Sequence, residues 1–170
     1  MTRIIPLLLA IAICVSPMWS AEFKTSRAFR ETLDGKEAVN WSGTTLRGAT
    51  ERIVQTQHVA VMLDRRIDPD QEVELRAADT PLRVMIEQLA RKYGAGICEV
   101  GDVVYVGPTA TTEILATVVE QRRDEIRKLP ASAAARLSRK TPWQWDRLTT
   151  PRELLDELEQ QYRVNINGKE

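Results

Sequence analysis

The chain is poor in the residues that most often carry chemistry. A single histidine, His58, stands among 170 residues. No Cys, Asp or Glu lies near it at metal-ligand spacing, so it reads as a surface or helix-end residue rather than a catalytic base. Cysteine is almost absent as well. Cys14 falls in the N-terminal apolar run and Cys98 in the strand-like run Ile97-Cys98-Glu99-Val100. Once that run is removed, Cys98 stands alone, no internal disulfide is possible, and a small buried hydrophobe is its expected role. Charge of one sign is missing too. Lys+Arg and Asp+Glu both count 24, so the basic footprint of a nucleic-acid binder is lacking and no nucleic-acid partner is expected. No apolar run reaches the ~20 residues that span a bilayer. Within these residues there is also no series of alternating ~10-residue strands that could close an outer-membrane barrel.

Motifs of catalysis and ligand binding are absent in the same way. There is no nucleophile elbow, phosphate-cradling glycine loop or zinc motif. Gly94-Ala95-Gly96 ends one element and feeds a strand, with no helix next to receive a phosphate. Asp64, Asp68 and Asp70 lie close together, but their loop lacks the central glycine and terminal glutamate of a calcium-binding loop, and Arg65-Arg66 interrupt it. The sequence therefore leads to an expectation of no catalytic residues, no cofactor and no metal.

What is present begins with an export signal. Arg3 supplies a positive start, Ile4 to Val15 an apolar run broken only by Pro6, and Ser16 to Ala21 a polar, turn-prone end. This is the layout of a secretory signal peptide, with cleavage after Ser20 or Ala21. Met18 or Trp19 stands where a small side chain is preferred, so an uncleaved anchor is the alternative. Cys14 invites lipidation, against which stands the bulky Ile13 before it. The membrane is otherwise not an expected partner.

Residues 22–37 are charged and weakly patterned and read as a loosely ordered leader. Ala38 to Trp41 reads as a short strand with Val39 and Trp41 on one face. A first helix from Thr45 to Gln57 carries Leu46, Ala49, Ile53 and Val54 at helical spacing behind a Thr44 or Thr45 cap. Val59 to Leu63 is nearly all apolar and reads as a strand covered on both faces. Glu72 to Arg76 alternates, with Val73 and Leu75 inward. A second helix starts with Thr80 as cap and Pro81 at its first position. Its stripe is Leu82, Met85, Ile86, Leu89, Ala90 and Tyr93, and Gly94 ends it. Ile97 to Val100 and Val103 to Val106 form a hairpin about Gly101-Asp102. Behind a loop at Thr109 to Thr112, a third helix from Glu113 to Leu129 has an apolar side and a mixed-charge, solvated stretch from Glu120 to Lys128. Pro130 stops it.

The pattern then starts again. Thr150-Pro151-Arg152-Glu153 opens a helix with a capping box. Leu154, Leu155, Leu158 and Tyr162 make its stripe, and Arg163 to Asn167 reads as the strand after it. One offset aligns Thr150 with Thr45, Arg152 with Arg47, Leu158 with Ile53 and Val164 with Val59. Trp145 matches Trp41 within one residue. An internal repeat marks the unit of folding.

Leu46-Arg47-Gly48-Ala49, Gln55-Thr56-Gln57 and Val59 to Asp64 resemble the first half of the secretin and TonB-receptor short N-terminal domain. Val73-Glu74-Leu75, Thr80 to Leu89, Tyr93-Gly94 and Val103 to Val106 resemble its second half. The resemblance covers Val39 to Gly107, with a partial copy from Trp145. It implies a small α+β fold of order β-α-β-β-α-β-β, two helices packed on short sheets, that docks other proteins in the periplasm or cell envelope of a Gram-negative-type bacterium. The expected organisation is a signal peptide (1–21), a leader (22–37), the docking domain (38–108), a helical linker (109–140) and a partial second unit (141–170).

The leading expectation is thus a non-enzymatic docking protein with an envelope protein as partner. Trp41, Trp143 and Trp145 are the residues most open to a partner surface, with core packing the alternative. The stripe of Leu154, Leu155 and Leu158 needs cover, either from the helix at Glu113 to Leu129 or from a homodimer through residues 150–166. Two other readings remain: the front of a longer tandem-repeat envelope protein with a structural role, and an exported enzyme.

Overall fold

A computed structural model describes residues 23–139 and 148–167. The chain is α+β. Its elements run α1 (Ser26–Asp34), β1 (Lys36–Thr45), α2 (Leu46–Gln57), β2 (Ala60–Leu63), β3 (Glu72–Pro81), α3 (Leu82–Lys92), β4 (Ala95–Val100), β5 (Val103–Pro108), α4 (Thr109–Arg127), α5 (Ala131–Leu137) and α6 (Pro151–Tyr162). From β1 to β5 the order is β-α-β-β-α-β-β, as the sequence leads one to expect.

The strands form two sheets. β1 and β3 pair antiparallel as a two-stranded ribbon. The other sheet has the order β2-β5-β4, with β2 parallel and β4 antiparallel to β5. The β4–β5 hairpin turns on Gly101-Asp102, and Gly101 has φ +63, a value that a side chain would strain. The ridge of α3 fills the core: Leu82, Met85, Ile86, Leu89 and Ala90 are all buried. Ala49 and Ile53 of α2, Val73 of β3, and Val104 and Val106 of β5 meet it. Each Val, Leu, Ile or Met side chain removed from water in this way contributes about 1.5–3 kcal/mol, and the alanines less.

The described part of the expected leader, residues 23–37, departs from expectation. Ser26–Asp34 is a helix, and Phe29 and Leu33 are each 1% exposed within the core. The two stand one helical turn apart, so a single face of α1 reaches inward, against α3. This stretch is thus an integral element of the fold and not a loose leader.

Three boundaries also move. The α3 helix begins at Leu82, because β3 runs on through Thr80 and Pro81 to pair with Glu37 and Lys36. The Thr80 hydroxyl donates to the Ala78 carbonyl and caps nothing. The third helix begins at Thr109, so Thr109 to Thr112 form its first turn rather than a loop. β2 is not covered on both faces: it is an edge strand, and Met62 is 59% exposed.

The repeat is visible in the helices. Both α2 and α6 have 12 residues. Each has an extended Thr cap whose hydroxyl oxygen accepts from the third helical N–H, Gly48 or Glu153. In α6 Glu153 reaches back to the Thr150 N–H, which completes the expected capping box. Each helix ends on a left-handed residue, His58 or Arg163. The repeat stops there among the described residues, since 163–167 form no strand. The main chain of this segment bonds back to α6 instead: the Val164 N–H donates to the Glu159 carbonyl at 3.2 Å and the Ile166 N–H to the Glu159 carboxylate.

Candidate docking surfaces

Trp41 does not form a surface. It is 8% exposed and belongs to the core, opposite Leu75 on β3. It only borders a shallow hollow of about 310 Å³ with Ser42, Glu74, Arg76 and Lys92. Trp143 and Trp145 lie outside the described residues. Leu154, Leu155 and Leu158 are half-buried, and the Tyr162 hydroxyl donates to the Arg139 carbonyl at 3.1 Å, just beyond α5.

His58 closes α2 in the left-handed conformation, at the helix end where its sequence position places it. Its Nδ1 is buried without a hydrogen-bond partner. Among the described residues no group of His, Cys, Asp or Glu could hold a metal ion, and no helix is long and apolar enough to cross a membrane.

The aspartates of the β2–β3 loop act on the protein itself. Arg66 donates to Asp64 through Nε at 2.9 Å and through a terminal nitrogen at 2.7 Å. The same nitrogen reaches Thr111 Oγ1 at 3.1 Å, and the Tyr105 hydroxyl donates to Asp64. The loop is thereby pinned to β5 and to the first turn of α4. These bonds hold the Asp64 carboxyl far below the usual carboxylate range, Arg66 contributing most, and they push the Tyr105 hydroxyl up. A depressed carboxyl stabilises the fold fully above its unfolded value and loses that contribution as pH falls through its folded one. Asp64→Asn is therefore expected to melt below the parent at pH 7, with the gap closing at pH values below about 4. Thermal melts of both proteins across that range check it; a gap that widens in acid would contradict the pin.

The second sheet has a second face. Val104 and Val106 of β5 point into the core, while Gly96 and Cys98 of β4 meet α4. Gly96 is required by this packing, because a Cβ there would sit 2.4 Å from Thr112 Oγ1. Thr112 is 3% exposed and its hydroxyl is bonded to the Thr109 carbonyl at 2.8 Å. Gly96→Ala is expected to cost about 1–3 kcal/mol by overpacking, and Thr112→Ala added to it should recover part of that loss. Urea titration of the single and double variants measures both.

From that contact α4 runs on over β4, which leaves a groove of about 350 Å³. It is lined by Ile97, Cys98, Glu99, Ala116, Val119, Glu120 and Arg123. Cys98 is buried there, and burial pushes its thiol up, partly opposed by Arg123. The mixed charges of α4 form ion pairs along its exposed face, Arg122 with Glu125 and Arg127 with Asp124. Its apolar side is less covered than expected, with Ile114 66% and Val118 40% exposed.

The four outer strands differ in how open their edges are. On β3, Tyr93 donates to the Glu72 carbonyl and Lys92 to the Glu74 carbonyl, so side chains already engage its main chain. The pairing of β1 shifts register twice, and such irregularities twist an edge away from added strands. β2 is four residues long. β4 has six residues and a helix beside it.

Sequence reasoning missed both the Asp64–Arg66–Tyr105 pin and the groove. Each joins residues far apart in the chain that share no local pattern. Compared with known proteins, the chain matches no described protein family and no curated protein.

Proposed function

We propose that this chain is an exported, non-enzymatic docking domain that binds another protein of the cell envelope, in the manner of the secretin and TonB-receptor short N-terminal domains. The observation that carries the reading is the order β-α-β-β-α-β-β between Lys36 and Pro108, with two helices on two short, open-edged sheets. Open edges suit contact between proteins, since a strand edge is a template for another chain. The signal-peptide layout of residues 1–21 supports a periplasmic site of action. Photocrosslinking from single surface positions of the chain in living cells tests this. A discrete adduct with one envelope protein is the expected result. Retention of the chain in the cytoplasm, or the absence of any adduct from all sheet edges, would sink it.

A second reading has its own observation. The α6 helix repeats α2 in length, cap and terminus, as the front of a tandem-repeat envelope protein would. DNA sequence beyond the codon for Glu170 distinguishes the two: an in-frame continuation with further Thr-Pro helix starts favours the array.

A further inference from the structure

We infer that the docking element is the groove between β4 and α4, and that it takes an extended, uncharged polypeptide segment as an added strand. The inference rests on the docking reading and commits it to one edge and one kind of partner.

The first support is hydrogen-bonding capacity. In an antiparallel pair, facing residues alternate between bonding each other and turning their main-chain groups away. Ile97 faces Val106, and the Val106 carbonyl is taken from the other side by the Asp64 N–H at 2.8 Å. Ile97, and Glu99 two residues on, therefore direct their N–H and C=O groups outward from β5. No described hydrogen bond reaches those groups. An extended backbone supplies matching donors and acceptors at the same spacing.

The second support is the facing wall. A strand laid along β4 would meet Ala116 and Val119 of α4, with Cys98 below. Each of its alternate side chains would leave water against apolar surface. The hollow beside β2, by contrast, is lined by Met62 to Arg66 alone and has no opposing wall.

The third support is charge. The ionised groups around the groove are already matched, Glu120 with Arg123 and Glu99 with Arg83. It presents no spare charge, so a charged side chain at a facing position would lose water without gaining a counter-ion. The segment that fits is uncharged and small or apolar at alternate positions.

The test uses short synthetic peptides with alternating Val and Thr, Ala and Ser, or Val and Ser, together with scrambled peptides of the same composition. They are titrated into the isotope-labelled mature chain while amide exchange is followed. The expected result is binding by alternating peptides, with exchange at Ile97 and Glu99 slowed about tenfold or more. Val119→Arg, which fills the groove from α4, should weaken binding by about tenfold or more at an unchanged melting temperature. Met62→Asp, on the opposite edge, should leave binding intact. The exchange pattern in the parent chain decides the site even if Val119→Arg fails to fold. Slowing at Val61 and Leu63 instead overturns the groove and leaves the docking reading standing. So does an absence of peptide binding when crosslinking in cells gives its adduct. Failure of both experiments removes the groove and the docking function together.

Discussion

Leu89→Asp is expected to leave the chain without a cooperative melt. Leu89 is 3% exposed in the middle of the α3 ridge, with Met85 and Ile86 before it and Ala90 after it. A carboxylate placed there loses its water and meets no cation. The group either stays charged at high cost or takes up a proton, and both outcomes destabilise the fold. A loss of about 4 kcal/mol or more follows, against the ~5–15 kcal/mol by which a domain is stable at all. Far-UV circular dichroism should fall toward a coil signal and the thermal transition should vanish. An unchanged spectrum and melt would mean that α3 does not carry the core, and the fold described here would be wrong.

Phe29→Ala is expected to cost about 3–5 kcal/mol, the range for removing a buried aromatic ring from a core. This prediction is sharp because Phe23, six residues earlier, is 46% exposed. Phe23→Ala should change stability by no more than about 0.5 kcal/mol. Both phenylalanines sit in a stretch that reads as leader from composition alone. Urea denaturation of the two variants separates an integral α1 from a loose one. Equal, small effects would show that Ser26–Asp34 does not pack on the domain.

Those two residues show where the sequence was informative and where it was not. The α3 stripe repeats over three turns, so periodicity alone identifies it. The Thr150 cap and the Gly101 turn are equally local and readable, and the first helix cap was readable to within Thr44 or Thr45, of which Thr45 holds it. α1 has nine residues and offers only Phe29 and Leu33 as large apolar ones, too few for a stripe, although their one-turn spacing was the available signal. β2 misleads in the opposite direction: its apolar run suggests burial on both faces, yet it lies at a sheet edge with Met62 outward. Thr80-Pro81 is a good helix start locally, and pairing with β1 overrides it. Arg163 to Asn167 alternates like a strand, but among the described residues it pairs with none and bonds back to Glu159 of α6 instead. The groove between β4 and α4 depends on α4 crossing β4 at Gly96, a contact that no periodicity encodes.

The order β2-β5-β4 bears on how the chain comes together in time. Synthesis delivers the N-terminus first, so β2 is made with nothing beside it and must wait for Val103 to Val106 before its parallel pairing can close. β1 waits in the same way for β3, and the inward face of α1 for α3. The ribbon can close once β3 is made, whereas the hairpin of β4 and β5 comes last and completes the second sheet. Until residue 106 is free to pair, β2 stays without a partner and its apolar side chains stay open to water or to a chaperone.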